Sequence, residues 1–186
     1  MKKSSFAVGL LAVFALFISG CLSVEKKTYT FEFTGDNAGI LTIKYYNIIS
    51  VVDNGEEVIE EDFQELLNDY IEGSKAEEEY PDATLKEKRF FEEDGVLCAE
   101  VVYEFDDLGA ARLYRHKNEG PFMYCLNCYL ETEEFQYSNG SYGGEVMPVV
   151  FWESSLKELN LSTIVTQLDE TTVSLLPKYK EWKEGQ

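Results

Sequence analysis

Apolar and polar residues alternate through residues 28–34, where Tyr29, Phe31 and Phe33 share one side and threonines with Glu32 take the other. That two-residue period predicts a half-buried strand. A second run over 40–52 keeps Leu41, Ile43, Tyr45 and Ile49 in phase, and the intervening Gly35-Asp36-Asn37-Ala38-Gly39 is turn chemistry. The two runs predict a hairpin, ended by Asp53-Asn54-Gly55. The period then changes: Phe63, Leu66, Leu67, Tyr70 and Ile71 fall on one stripe of a helix over 60–72. Asp62 with Glu65 three residues on predicts its cap, and Gly73 its stop.

Residues 75–79 predict one more helical turn before Pro81, and 84–93 with 96–105 flank Asp94-Gly95, a strong hairpin signal. In the second arm Cys98 falls in phase with Glu100, Val102 and Glu104, on the more polar side. Residues 106–109 read as a turn and 110–114 as one or two helical turns. An aromatic, hairpin-like pair is expected over 122–137, a flexible glycine-rich loop over 138–144, and an edge strand over 146–152 because Pro148 lies inside it. Residues 161–168 alternate again, and Pro177 marks a helix start ahead of Tyr179 and Trp182. This order predicts an α+β fold, an antiparallel β-sheet with one amphipathic helix packed on a face.

The first twenty-one residues follow a different logic. Lys2 and Lys3 precede an apolar run over 6–18, too short to span a bilayer comfortably, and Ile18-Ser19-Gly20-Cys21 closes it. This segment resembles the lipobox signal peptide of bacterial lipoproteins. The resemblance implies that 1–20 are cleaved, that the Cys21 sulfur carries a diacylglycerol and that the new amino group is acylated. Residues 21–27 would then be a lipidated anchor and tether, and 28–186 a single α+β domain. The helix followed by an Asp-Gly hairpin and Tyr-Glu-Phe-Asp-Asp-Leu at 103–108 also resembles uncharacterised envelope lipoproteins of the LppM type.

Composition narrows the partners. The chain has 186 residues and a formal charge of −19, and loss of the leader removes two lysines and no acid, which makes it −21. Phosphate backbones need basic patches, so nucleic acid is not expected as a partner. Anionic lipid would repel most of this domain, which leaves the lipid on Cys21 as the membrane contact.

Export permits disulfides, and with Cys21 acylated, Cys98, Cys125 and Cys128 remain. Cys125-Leu126-Asn127-Cys128 has redox spacing, but its flanks favour a strand, on which positions three apart point to opposite faces. A structural cysteine, or a bridge from Cys98 to one of the pair, is the expectation ahead of a redox centre. His116 lies in a polar loop and reads as a surface residue, and Ser154-Ser155-Leu156-Lys157 matches S-x-x-K without its companion motifs. No catalytic residue, cofactor or metal site is assigned. Tyr137 and Tyr142 bracket the glycine-rich loop as a candidate ligand-facing surface, while Tyr124 and Tyr129 flank the cysteine pair.

The expected function is that of a non-enzymatic, membrane-anchored envelope lipoprotein that binds a protein, lipid or glycan. A thiol-disulfide protein working through Cys125 and Cys128 is the alternative. Leu22 and Ser23 lack an aspartate retention signal, and the resemblance to enterobacterial lipoprotein sorting then implies the outer membrane in a two-membrane envelope and otherwise the outer face of the cytoplasmic membrane.

Overall fold

The computed structural model describes residues 22–52, 56–128 and 133–186. Strands β1 (Leu22–Phe33) and β2 (Gly39–Val51) form the central hairpin, in register from Leu22↔Ser50 to Phe33↔Gly39. Gly39 is required there, because a Cβ would overlap the Glu32 carbonyl and the Phe105 ring. β1 starts six residues earlier than the alternation suggests. Residues 22–27 are therefore not a free tether: Leu22 to Val24 pair with β2, and Lys26 and Lys27 with residues on both sides. Lys27 is in the inward phase of Tyr29 and Phe31, and its charge is met by a residue 106 positions away.

Helix α1 (Glu56–Glu65) runs on as a π-helical segment, Leu66–Ile71, closed by a bond from the Glu72 N–H to the Leu67 carbonyl at 2.8 Å. Asp62 is not its cap. It lies inside the helix, buried, and accepts from the Ser50 hydroxyl of β2 at 2.5 Å. Helix α2 (Lys75–Glu79) follows, with Ala76 buried, and then the hairpin of β3 (Thr84–Glu93) and β4 (Val96–Phe105). Asp94 and Gly95 have φ of 52° and 79°, the paired positive values of the tight turn their identities call for.

The second half departs further from the pattern. Its strands are β5 (Leu113–Tyr114), β6 (Phe122–Cys125), β7 (Glu134–Ser138), β8 (Ser141–Tyr142), β9 (Val149–Trp152), β10 (Glu158–Ile164) and β11 (Thr172–Ser174), before helix α3 (Leu176–Glu184). The main antiparallel sheet has the order β3-β4-β2-β1-β10-β7, with β11 on the far end of β2, and a small sheet has the order β5-β6-β9-β8. β6 and β7 thus belong to different sheets and do not form a hairpin. β9 is interior rather than an edge strand, because Pro148 stands just before it and leaves its donors free for β6 and β8. Asn139 and Gly140 form no loose loop: they carry the chain from one sheet to the other, held by bonds from Trp152 Nε1 and the Asn160 N–H to Asn139 Oδ1, each 2.8 Å.

Two cores share the inner face of the main sheet. Tyr29, Phe31, Leu41, Ile43, Tyr103 and Phe105 pack against Phe122, Tyr124, Val150 and Trp152 of the small sheet. Towards the start of β1, Ile48, Leu97 and Ala99 pack against Phe63 of α1 and Leu66 of the π-helical segment, with Leu175, Leu176 and Tyr179 at α3. The fold is α+β, as the pattern predicts, with α3 joining the expected helix through Lys178 and Glu60 at 2.8 Å. Among the described residues no helix is long and apolar enough to cross a membrane.

Candidate functional site

Between the two cores the inner face of the sheet is not filled. A cavity of about 470 Å³ lies there, floored by Tyr45, Phe90, Ala99 and Val101 and roofed by Leu66, Tyr70 and Ala76. Its volume falls within the usual range for small-molecule sites. Small side chains help to leave the space: Ala99 of β4 and Ala76 of α2 both line it. Leu22, Val24 and Ile48 complete the wall towards the start of β1.

Lys27 supplies a charge to this wall. Its Nζ donates to Glu133 Oε1 at 3.0 Å, Tyr29 OH donates to the same oxygen at 2.8 Å, and Thr163 Oγ1 donates to Oε2 at 2.5 Å. A buried ion pair persists when further hydrogen bonds offset its desolvation, and Glu133 has them. Farther along, Tyr45 OH donates to Glu79 Oε2 at 2.7 Å. Burial, and then the Glu79 charge, push the Tyr45 phenol well above its ordinary range, so it stays a donor. Lys88 Nζ donates to the Gly73 carbonyl at 2.8 Å. Lys27, Tyr45 and Lys88 are thus matched from within the fold, while Tyr70, Lys75 and Glu78 add further polar groups to a lining that is otherwise mostly apolar.

The cysteines resolve differently from expectation. Cys125 and Cys128 are bonded to each other, with Cα atoms 5.6 Å apart. The strand ends at Cys125, and Asn127 at φ 59° reverses the chain, which brings together two side chains that a continued strand would hold apart. Cys98 takes no part. It is a free, buried thiol opposite Phe91 in the β3–β4 ladder, and burial raises its pKa. The alternation gave its direction but not its burial.

The remaining candidates scatter. Tyr137 is 60% exposed on β7, whereas Tyr142 is half-buried and stacks on Phe135 with ring centroids 4.3 Å apart, so the two do not form one ligand-facing loop. His116, Ser154 and Ser155 are exposed, and Tyr124 is core. Cys21 and Tyr129 lie outside the described residues. Lys27, Tyr45, Tyr70, Glu79 and Glu133 are not singled out as site residues by the pattern, which gives Tyr45 and Tyr70 only as inward positions of their elements. Lys27 and Tyr45 carry a signal, since both are in the inward phase of their strands; nothing local marks Glu133. No family model, no curated protein and no solved structure matches this chain.

Proposed function

We propose that this chain is an exported envelope protein, held at a membrane by acyl chains on Cys21, which acts by binding rather than catalysis through the cavity under the π-helical segment and α2. The basic, apolar and small-residue order of residues 1–21 supports export and acylation. One acyl chain binds a bilayer only marginally, and two or three hold a protein there. The observation that carries the reading is that Leu22, the residue bonded to Cys21, already belongs to β1 and to the cavity wall. With Cys21 acylated, the domain stands against the bilayer without a spacer, and its apolar cavity lies at the membrane end. Of protein, lipid and glycan partners, a lipid suits such a wall best. In a two-membrane envelope the outer membrane is the favoured site, and otherwise the outer face of the cytoplasmic membrane.

Cys21→Ser tests the anchor: the variant should lose the acyl mass and leave the membrane fraction. An unchanged mature mass and unchanged fractionation would overturn it. The Cys125–Cys128 bond, with Cys128 exposed, favours a thiol-disulfide role as the second reading. Neither cysteine sits at a helix N-terminus that would stabilise a thiolate. A dithiol-reductase assay separates the two, and turnover abolished by Cys128→Ser would favour the second.

A further inference from the structure

We infer that the cavity between the sheet and its helical cover receives a hydrocarbon chain carried on Cys21 whenever the protein is away from a bilayer, an inference that rests on Cys21 being acylated. Reach is the first ground. Leu22 and Val24 line the cavity and Leu22 follows Cys21 directly, so a chain on Cys21 starts one residue from the wall. A tether that short gives a high effective concentration, and even a weak site fills.

The chemistry of the wall is the second ground. Ile48, Leu66, Phe90 and Val101 present apolar surface around the gap left by Ala76 and Ala99. Four of the polar side chains among them are engaged: Lys27 with Glu133, Tyr45 with Glu79, Lys88 with the Gly73 carbonyl, and Ser23 with Thr166 at 2.6 Å, while Lys75 and Glu78 of the lining are exposed. A charged head placed deep among Lys27, Tyr45 and Lys88 would have to break one of these bonds. A chain whose polar end is held outside, on the protein itself, breaks none.

Hydrocarbon gains by leaving water and gains little by leaving a bilayer. At a membrane the chain therefore stays inserted and the cavity is open to an external lipid. In water the chain folds back and one set of methylenes is shielded. The cavity is then both binding site and shelter, and an incoming lipid exchanges with the protein's own.

Cells fed a fatty acid with a diazirine at its tail place the photoreactive group on Cys21. Full-length protein is weighed intact, then irradiated after detergent is diluted below its micellar concentration and, separately, in phosphatidylglycerol vesicles. In the diluted sample cross-links should fall on peptides containing Leu66, Tyr70 or Phe90, and in vesicles on phospholipid. Ala99→Trp, which fills the cavity, should lose the internal cross-links, and Val101→Phe serves where circular dichroism shows the first variant unfolded. Acylated wild-type protein cross-linking only elsewhere, or carrying a non-covalent lipid in the cavity after dilution, overturns the inference alone. An intact mass without an acyl group overturns the anchor reading, and this inference with it.

Discussion

Asn127 clasps Glu133 by its backbone: Asn127 Oδ1 accepts from the Glu133 N–H at 2.6 Å, and Asn127 Nδ2 donates to the Glu133 carbonyl at 3.1 Å. The reverse turn inside the disulfide therefore sets the carboxylate that neutralises Lys27 on the cavity wall. A local device in the small sheet fixes a charge in the main one.

Removing that carboxylate should be costly. Glu133→Ala removes the carboxylate that accepts from Lys27, Tyr29 and Thr163 in the interior, a change expected to lower stability by roughly 3–5 kcal/mol. Replacing both groups, Lys27→Met with Glu133→Leu, should recover most of the loss. Urea denaturation of both variants measures this, and Glu133→Ala as stable as the wild type would show the pair to be solvated.

The clasp should matter at least as much as the covalent bond beside it. A bond closing four residues is worth about 2 kcal/mol in the chain-entropy account, so Cys125→Ser with Cys128→Ser should cost no more. Asn127→Ala loses two hydrogen bonds and places alanine at positive φ, for roughly 1–3 kcal/mol. Equal urea midpoints for wild type and Asn127→Ala would remove the clasp from the account.

Thiol counting joins the fold to the anchor. Cys98 is buried with its thiol pKa raised, so native protein should react slowly at that position. Denatured without reductant, acylated protein should show one thiol, from Cys98, and unacylated protein a second, from Cys21. Three or more without reductant would mean that Cys125 and Cys128 are not bonded.

Stability should fall in alkali. Burial raises the phenols of Tyr29, Tyr45, Tyr80 and Tyr103 above the usual value, with the Glu79 charge adding at Tyr45 and Tyr103. In the unfolded chain these groups lose protons near pH 10, while in the folded chain they keep them. The unfolded state then binds fewer protons, so unfolding free energy declines with rising pH, by up to about 1.4 kcal/mol per pH unit for each such tyrosine. Denaturation curves between pH 8 and 11 check it, and a flat profile would contradict these burials.

Asp62 distinguishes a cap from a core partner. Asp62→Ala should cost roughly 1–3 kcal/mol because the Ser50 hydroxyl, itself buried, loses its acceptor. Serine caps helices as well as aspartate does, yet Asp62→Ser should not restore stability, since its shorter side chain falls short of Ser50. Full rescue by serine would return Asp62 to a capping role.

The residues by themselves determined whatever depends on near neighbours. The alternation of Tyr29, Phe31, Leu41 and Ile43 set the central hairpin and its inward face, and Asp94-Gly95 set the β3–β4 turn to the residue. Pro177 marked the last helix, and Phe63, Leu66 and Tyr70 marked the first. Each rests on a backbone preference or a side-chain period that acts within a few positions.

Tertiary structure decided what joins distant segments. That β6 and β7 part into two sheets, that β9 is interior, and that Lys27 meets Glu133 all turn on pairings across long loops, where local energies barely differ between partners. The cavity belongs to this second kind. It is lined by residues of several separate elements, Ala76 and Ala99 among them, and a gap between elements has no local pattern by which to be read.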